Sequence, residues 1–200
     1  MKSVDVDTVA DITLIAGLAV LWLTAGLIAD GLPGSATAAI LRRRAVLLAA
    51  VAGAGTAMLV AVPLINLGRP GPETAGTAAV LVCVPVAVVL TISLRRLTQV
   101  RHGAAALSTA PQAPVPPGLI AAAAHPLVVV PMQVAGLAAI AGLPIAAGVI
   151  DVPTALLVAV VCGAAGLVAV AIAIRHGLRH SRLSVGAIAP IKRLPKRWAQ

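Results

Sequence analysis

A chain of 200 residues that is 60% hydrophobic and only 10% charged does not describe a water-soluble domain, which carries about 25% charged residues. So much apolar surface in water would aggregate, whereas lipid is the solvent it suits. The formal net charge of +9 does not imply a nucleic-acid partner, because the basic residues adjoin apolar runs and follow the rule that Lys and Arg collect on the cytoplasmic side of a membrane.

The chain opens Met1-Lys-Ser-Val-Asp-Val-Asp, acidic where a secretory signal is positively charged, so the first apolar run is expected to be a retained helix. A spanning helix needs about 20 predominantly apolar residues. Five runs meet or approach that length: Ile12–Ala29, Ala45–Leu67, Thr77–Leu94, Leu127–Ile150 and Val152–Ile174. None alternates with the period of two that barrel strands require. The expected fold is therefore all-α: a polytopic transmembrane helix bundle with five spanning helices.

Between the first two runs lie Arg42, Arg43 and Arg44. The second run aligns Ala49, Gly53 and Ala57 at intervals of four, a spacing that gathers small residues on one helix face and favours close packing in lipid. Similar series are Ala75, Ala79, Cys83 and Ala87 in the third run, Ala138, Gly142 and Ala146 in the fourth, and Ala159 and Gly163 in the fifth. Pro63, Pro85, Pro131 and Pro144 fall inside runs. Each removes a backbone hydrogen bond and frees the carbonyl four residues back, here Leu59, Leu81, Leu127 and Ile140.

After the third run come Arg95, Arg96 and Arg101, then a segment whose core is Pro111-Gln-Ala-Pro-Val-Pro-Pro117. Its composition reads as a polyproline-like linker, expected to be a flexible cytoplasmic loop, with a proline-rich docking site as the competing reading. Gly118–Ala124 is apolar but too short to span, so it should lie in the interface or extend the fourth helix, whose start is marked by His125-Pro126. The fourth and fifth runs meet at a tight turn around Asp151 and Pro153. The organisation expected is a three-helix part (residues 1–99), a Pro-rich linker (100–124), a two-helix hairpin (125–180) and a basic tail (181–200).

The tail carries Arg175, Arg179, Arg182, Lys192, Arg193, Lys196 and Arg197. With the two earlier arginine groups, 13 of the 15 Lys and Arg residues fall on one side of a five-span topology. Lys2, Arg69, Asp5, Asp7, Asp11, Glu73 and Asp151 fall on the other. Such asymmetry predicts the N-terminus outside and the C-terminus inside, in a bacterial cytoplasmic (inner) membrane. Phe and Tyr are absent and Trp is limited to Trp22 and Trp198, so an aromatic belt gives way to basic anchors. Arg42, Arg43, Arg44, Arg95, Arg96, Lys192, Arg193, Lys196 and Arg197 are expected to hold anionic lipid headgroups, with Trp198 among them.

No Asp, Glu, Lys, Arg or His lies in the middle of a predicted run, which argues against proton relays and ion-coupled transport through the chain's own carboxylates. The intramembrane polar contacts expected are Gln133, two residues after Pro131, and Asn66 near the outer end. His176 and His180 share a face on a continuing helix, a spacing that suits a metal, but Arg175 and Arg179 beside them disfavour a cation. The headgroup region is their expected place. Cys83 and Cys162 form no CxxC or metal pattern and read as small apolar residues. No phosphate loop, nucleophile elbow, zinc-protease motif or carboxylate pair appears, so neither enzymatic activity nor a cofactor is expected. The leading expectation is an accessory, scaffold or assembly subunit of a bacterial inner-membrane complex, acting by helix packing, with a membrane-protein partner or a second copy of itself. The alternative is a small transporter or channel with a pathway through its kinked helices.

Overall fold

The computed structural model of the chain describes residues 6–66, 74–149 and 155–188. They form α1 (Val6–Gly31), a short 3-10 turn (Leu32–Gly34), α2 (Ala38–Asn66), α3 (Thr74–Val88), a π turn (Val89–Ser93), α4 (Leu94–Ala105), α5 (Pro117–Ala123), α6 (Pro126–Ala146) and α7 (Ala155–Ile188). Among the described residues there is no strand, and extended pairing is limited to a bridge between Thr37 and Pro114. The all-helical expectation holds. Val6–Gly34, Ala38–Ile65, Ala78–Ala105 and Pro117–Ala146 are each long and apolar enough to cross a membrane, and the apolar first half of α7 resembles them in composition.

Two helices run further than the apolar runs predict. The third continues through the π turn into α4 and carries Arg95, Arg96 and Arg101 on helix. The fifth continues past Ile174 to Ile188, so Arg175, Arg179 and Arg182 are helical and the boundary expected at residue 180 falls within α7. Hydropathy marks where lipid ends, but a helix needs only backbone hydrogen bonds and the absence of a breaker. No proline interrupts residues 94–105 or 155–188. At the far end of α6 the stop signal is conformational. Gly148 has φ +64°, a left-handed position that glycine occupies without penalty, and Val149 N–H turns back to the Pro144 carbonyl at 3.0 Å.

The linker is not a free loop. Pro111 and Ala113 carbonyls accept from Ala39 and Ala38 N–H at 3.1 and 3.2 Å, which satisfies donors left unpaired at the start of α2. Val115 is buried, and Pro117 begins the short helix α5, which leads through Ala124 and His125 into α6 and forms one apolar stretch with it, Pro117–Ala146. Pro116 keeps a polyproline-like conformation, φ −58° and ψ 142°, while the Pro111 and Ala113 carbonyls tie the segment to the start of α2.

α1 and α6 form the most extensive helix pair, followed by α3 with α6 and α1 with α2. Small residues set these contacts. A Cβ built at Gly136 would lie 2.8 Å from the Leu23 side chain and 2.9 Å from its backbone nitrogen, and one at Gly142 would lie 3.1 Å from Ala78. Gly55 faces the fully buried Trp22, with 2.9 Å from its hypothetical Cβ to the indole. The expected seam Ala138, Gly142 and Ala146 is buried. The expected seam of α2 is not: Gly53 and Ala57 are exposed and nothing approaches Gly53 within 4 Å. α2 instead turns Ala45, Leu48, Ala52, Leu59 and Val62 inward.

Candidate functional site

The C-terminal end of α1 meets the Arg-bearing parts of α2 and α7, with α4, α5 and the start of α6 beside them, and the polar contacts described below gather there. Asp30 stands in the last turn of α1. A carboxylate at a helix C-terminus opposes the helix dipole, so it needs a cation. Arg179 of α7 supplies one: its guanidinium donates to Asp30 Oδ1 at 2.5 Å and to the Asp30 backbone carbonyl at 3.2 Å. Arg44 of α2 donates to the neighbouring carbonyl of Gly31 at 2.6 Å. Two arginines from different helices thereby cap α1.

His176, one turn before Arg179, is 2% exposed. Its Nε2 is 3.3 Å from Gln133 Oε1 of α6, and its Nδ1 is 3.9 Å from Asp30 Oδ1. Neutral imidazole carries one ring proton. On Nε2 that proton reaches the Gln133 oxygen; on Nδ1 it faces the carboxylate, and the turned amide would donate to Nε2. His176 lies two residues beyond the apolar run that ends at Ile174. Burial pushes its pKa below the ordinary histidine value, as do Arg175 and Arg179, while Asp30 acts in the opposite direction. Gln133 reaches this position because Gly26 of α1 leaves room: a Cβ there would lie 2.7 Å from Gln133 Cγ.

A second group of contacts adjoins the first. His180 Nδ1 is 3.0 Å from the carbonyl of Ala121, so that nitrogen carries the proton and caps the end of α5. The His180 and His125 rings are 4.9 Å apart between centroids. His125 is the N-cap of α6, its Nδ1 accepting from Leu127 N–H at 3.2 Å. The same residue, Leu127, offers the carbonyl that Pro131 frees. Ser93, fully buried in the π turn, donates its hydroxyl to that carbonyl at 2.5 Å. A π turn adds one residue and rotates the next stretch of helix by about 100°, which aims Ser93 at α6 while Arg95 and Arg96 remain exposed.

Of the residues singled out in the sequence, Gln133 therefore enters a polar cluster, whereas Asn66 ends α2 far along the chain from it and its side chain lies outside the described residues. His176, expected on the surface at the headgroups, is instead buried, its ring set against Gln133 and Asp30. Arg44 is engaged in a helix cap. Arg42, Arg43, Arg95 and Arg96 are exposed. Lys192, Arg193, Lys196, Arg197 and Trp198 lie outside the described residues, as does the Cys162 side chain. Cys83 is exposed, its thiol directed to the Ala79 carbonyl at 3.6 Å. Asp30 and Ser93 were missed; the only sequence signal for Asp30 was an acid on the side otherwise crowded with arginine. Among the described residues no cluster of three or more His, Cys, Asp or Glu is arranged to hold a metal. Comparison with protein-family models, curated proteins and solved structures gives no match.

Proposed function

We propose that this chain is a non-enzymatic integral membrane protein that acts by helix packing, as an accessory, scaffold or assembly subunit of a bacterial inner-membrane complex. In this reading five helices span the bilayer, with the N-terminus outside and the C-terminus in the cytoplasm. The Arg-bearing end then meets the anionic leaflet.

The observation that carries the reading is how the polar groups are used. Asp30, His176, Gln133, Arg179, Arg44 and Ser93 each join one helix to another, so the polar groups of this cluster are committed to packing. Meanwhile α7 keeps much of its surface open: Leu167 is 75% exposed and Val185 67%. Gly163 and Gly166 of α7, like Gly53 of α2, have nothing within 4 Å of a hypothetical Cβ. Open small-residue surfaces on a helix are where another transmembrane helix packs closely.

The test is copurification from membranes in mild detergent, with crosslinking from cysteines placed at Gly163 and Gly53. A stoichiometric membrane partner, or a homo-oligomer crosslinked through these positions, supports the reading; a chain that runs alone and monomeric with no crosslink counts against it. The transport alternative rests on the kinked α6 and Gln133. Flux into vesicles that disappears in Gln133→Leu would favour it over packing.

A further inference from the structure

Two adjoining grooves open on the Arg-bearing end between α2 and α4. The larger, about 510 Å³, is bordered by Arg42, Arg43, Val46 and Leu47 of α2 and by Ala104 and Leu107 opposite. The smaller, about 290 Å³, shares Arg42 and Val46 and adds Thr98, Arg101 and His102 from α4. Helical spacing explains the lining. Arg42 and Val46 are four apart on α2, and Thr98, Arg101, His102 and Ala105 share one face of α4. The larger groove alone lies within the about 300–1,000 Å³ of ordinary ligand sites.

Among the described residues, no carboxylate pairs with the arginines of these grooves. Asp30 is engaged by Arg179 and His176, and no described carboxylate borders either groove. Three arginines therefore border the two adjoining grooves, in company with the apolar Val46, Leu47 and Ala104. Val46 and Leu47 are also about half exposed on the flank of α2, so the apolar lining runs out onto the side of the bundle. A soluble phosphate compound would use the arginines and leave that strip uncovered. A molecule with an anionic head and an attached hydrocarbon chain matches both parts.

We propose that the α2–α4 grooves bind one acidic glycerophospholipid, its phosphate held by Arg42, Arg43 and Arg101 and its acyl chain laid along Val46 and Leu47. Guanidinium suits phosphate because it offers paired donors in a fixed plane. Arg95 and Arg96, exposed but bordering neither groove, act as diffuse leaflet anchors instead. This inference requires a bilayer around the bundle but no protein partner, so it and the packing reading fail independently.

Native mass spectrometry of the full chain, purified in mild detergent and supplied with phosphatidylglycerol or phosphatidylcholine, tests it. Wild type and R95Q/R96Q are expected to retain one phosphatidylglycerol, and neither to retain phosphatidylcholine. R42Q/R43Q/R101Q is expected to weaken retention about tenfold or more, since each basic group near anionic lipid contributes about fivefold. A second measurement does not depend on removing arginines: maleimide labelling of Ser108→Cys, which borders the larger groove, should slow on adding phosphatidylglycerol. Equal loss in the two arginine variants, equal retention of both lipids, displacement by millimolar inorganic phosphate, or unchanged labelling of Ser108→Cys would each overturn the proposal.

Discussion

Replacing Ser93 by Ala removes one oxygen from a site with no solvent. The hydroxyl donates at 2.5 Å to the Leu127 carbonyl, which has no i+4 amide to serve because residue 131 is proline. Loss of the donor leaves that carbonyl unpaired between packed helices. Interhelical hydrogen bonds in membranes contribute about 0.6 kcal/mol on average and about 1.7 at most, and an orphaned buried acceptor costs about 1–3 kcal/mol. The expected destabilisation is about 1–2 kcal/mol. The cause is checked by a cycle with Pro131→Ala. Residue 131 then supplies the missing N–H to Leu127, so Ser93→Ala in that background should cost less than about 0.5 kcal/mol. Any gain from relieving the proline itself, up to about 3 kcal/mol, cancels within the cycle. Unfolding in mixed micelles titrated with denaturing detergent, followed by far-UV circular dichroism, reads all four proteins. If Ser93→Ala costs the same with and without Pro131, the hydroxyl is not repairing the proline break.

Gly136→Ala should destabilise by about 1–3 kcal/mol in the same assay, because the added methyl meets the Leu23 backbone at 2.9 Å. Gly53→Ala, which meets nothing within 4 Å, should be neutral or slightly stabilising. Between pH 7 and pH 5.5, stability should fall as the medium is acidified below the ordinary histidine pKa. The folded-state pKa of His176 is held below that value, so the unfolded chain takes up the proton first and gains relative to the bundle. His176→Gln should flatten that slope, as read by melting in detergent across the range. A reporter fused to the C-terminus should behave as cytoplasmic, and a cysteine introduced beside Glu73 should be labelled from outside; reversed outcomes would invert the topology.

What the sequence revealed and what it concealed divide along a physical line. Lipid exposure is a property of composition, so the apolar runs were visible without knowing any contact. Local stops were visible too, as His125-Pro126 opening α6 shows. Rotation about the helix axis was not. A helix that is apolar all round has no face to mark as inward, and Ala49, Gly53 and Ala57 looked as good a seam as the Ala45, Leu48 and Ala52 that are buried. Helix length was hidden for another reason, since charged side chains can leave the membrane while the backbone stays helical, as at Arg95 and Arg175. The polar cluster needed both missing quantities. Asp30 and Arg179 are 149 residues apart, and their meeting requires α7 to continue beyond Ile174 with the correct face toward α1.

The contacts at the Arg-bearing end also locate where the bundle is vulnerable. In lipid, apolar helices gain little from meeting one another rather than hydrocarbon, so association depends on close packing and on hydrogen bonds. α1 and α6 have close packing through Gly26 and Gly136. Along Gly163 to Ile174 the described side chains of α7 are largely exposed; among the described residues, its polar hold on the bundle is that of His176, Arg179 and His180 against Gln133, Asp30 and Ala121. Arg179→Gln should therefore loosen the whole of α7, although the substitution lies beyond its apolar stretch. Proteolysis or cysteine labelling within residues 163–174 would accelerate severalfold. Combining it with Asp30→Asn, which removes the stranded carboxylate charge, should restore part of the protection. Acceleration confined to the last two turns of α7, or no rescue by the double variant, would mean that the helix is held by something other than this latch.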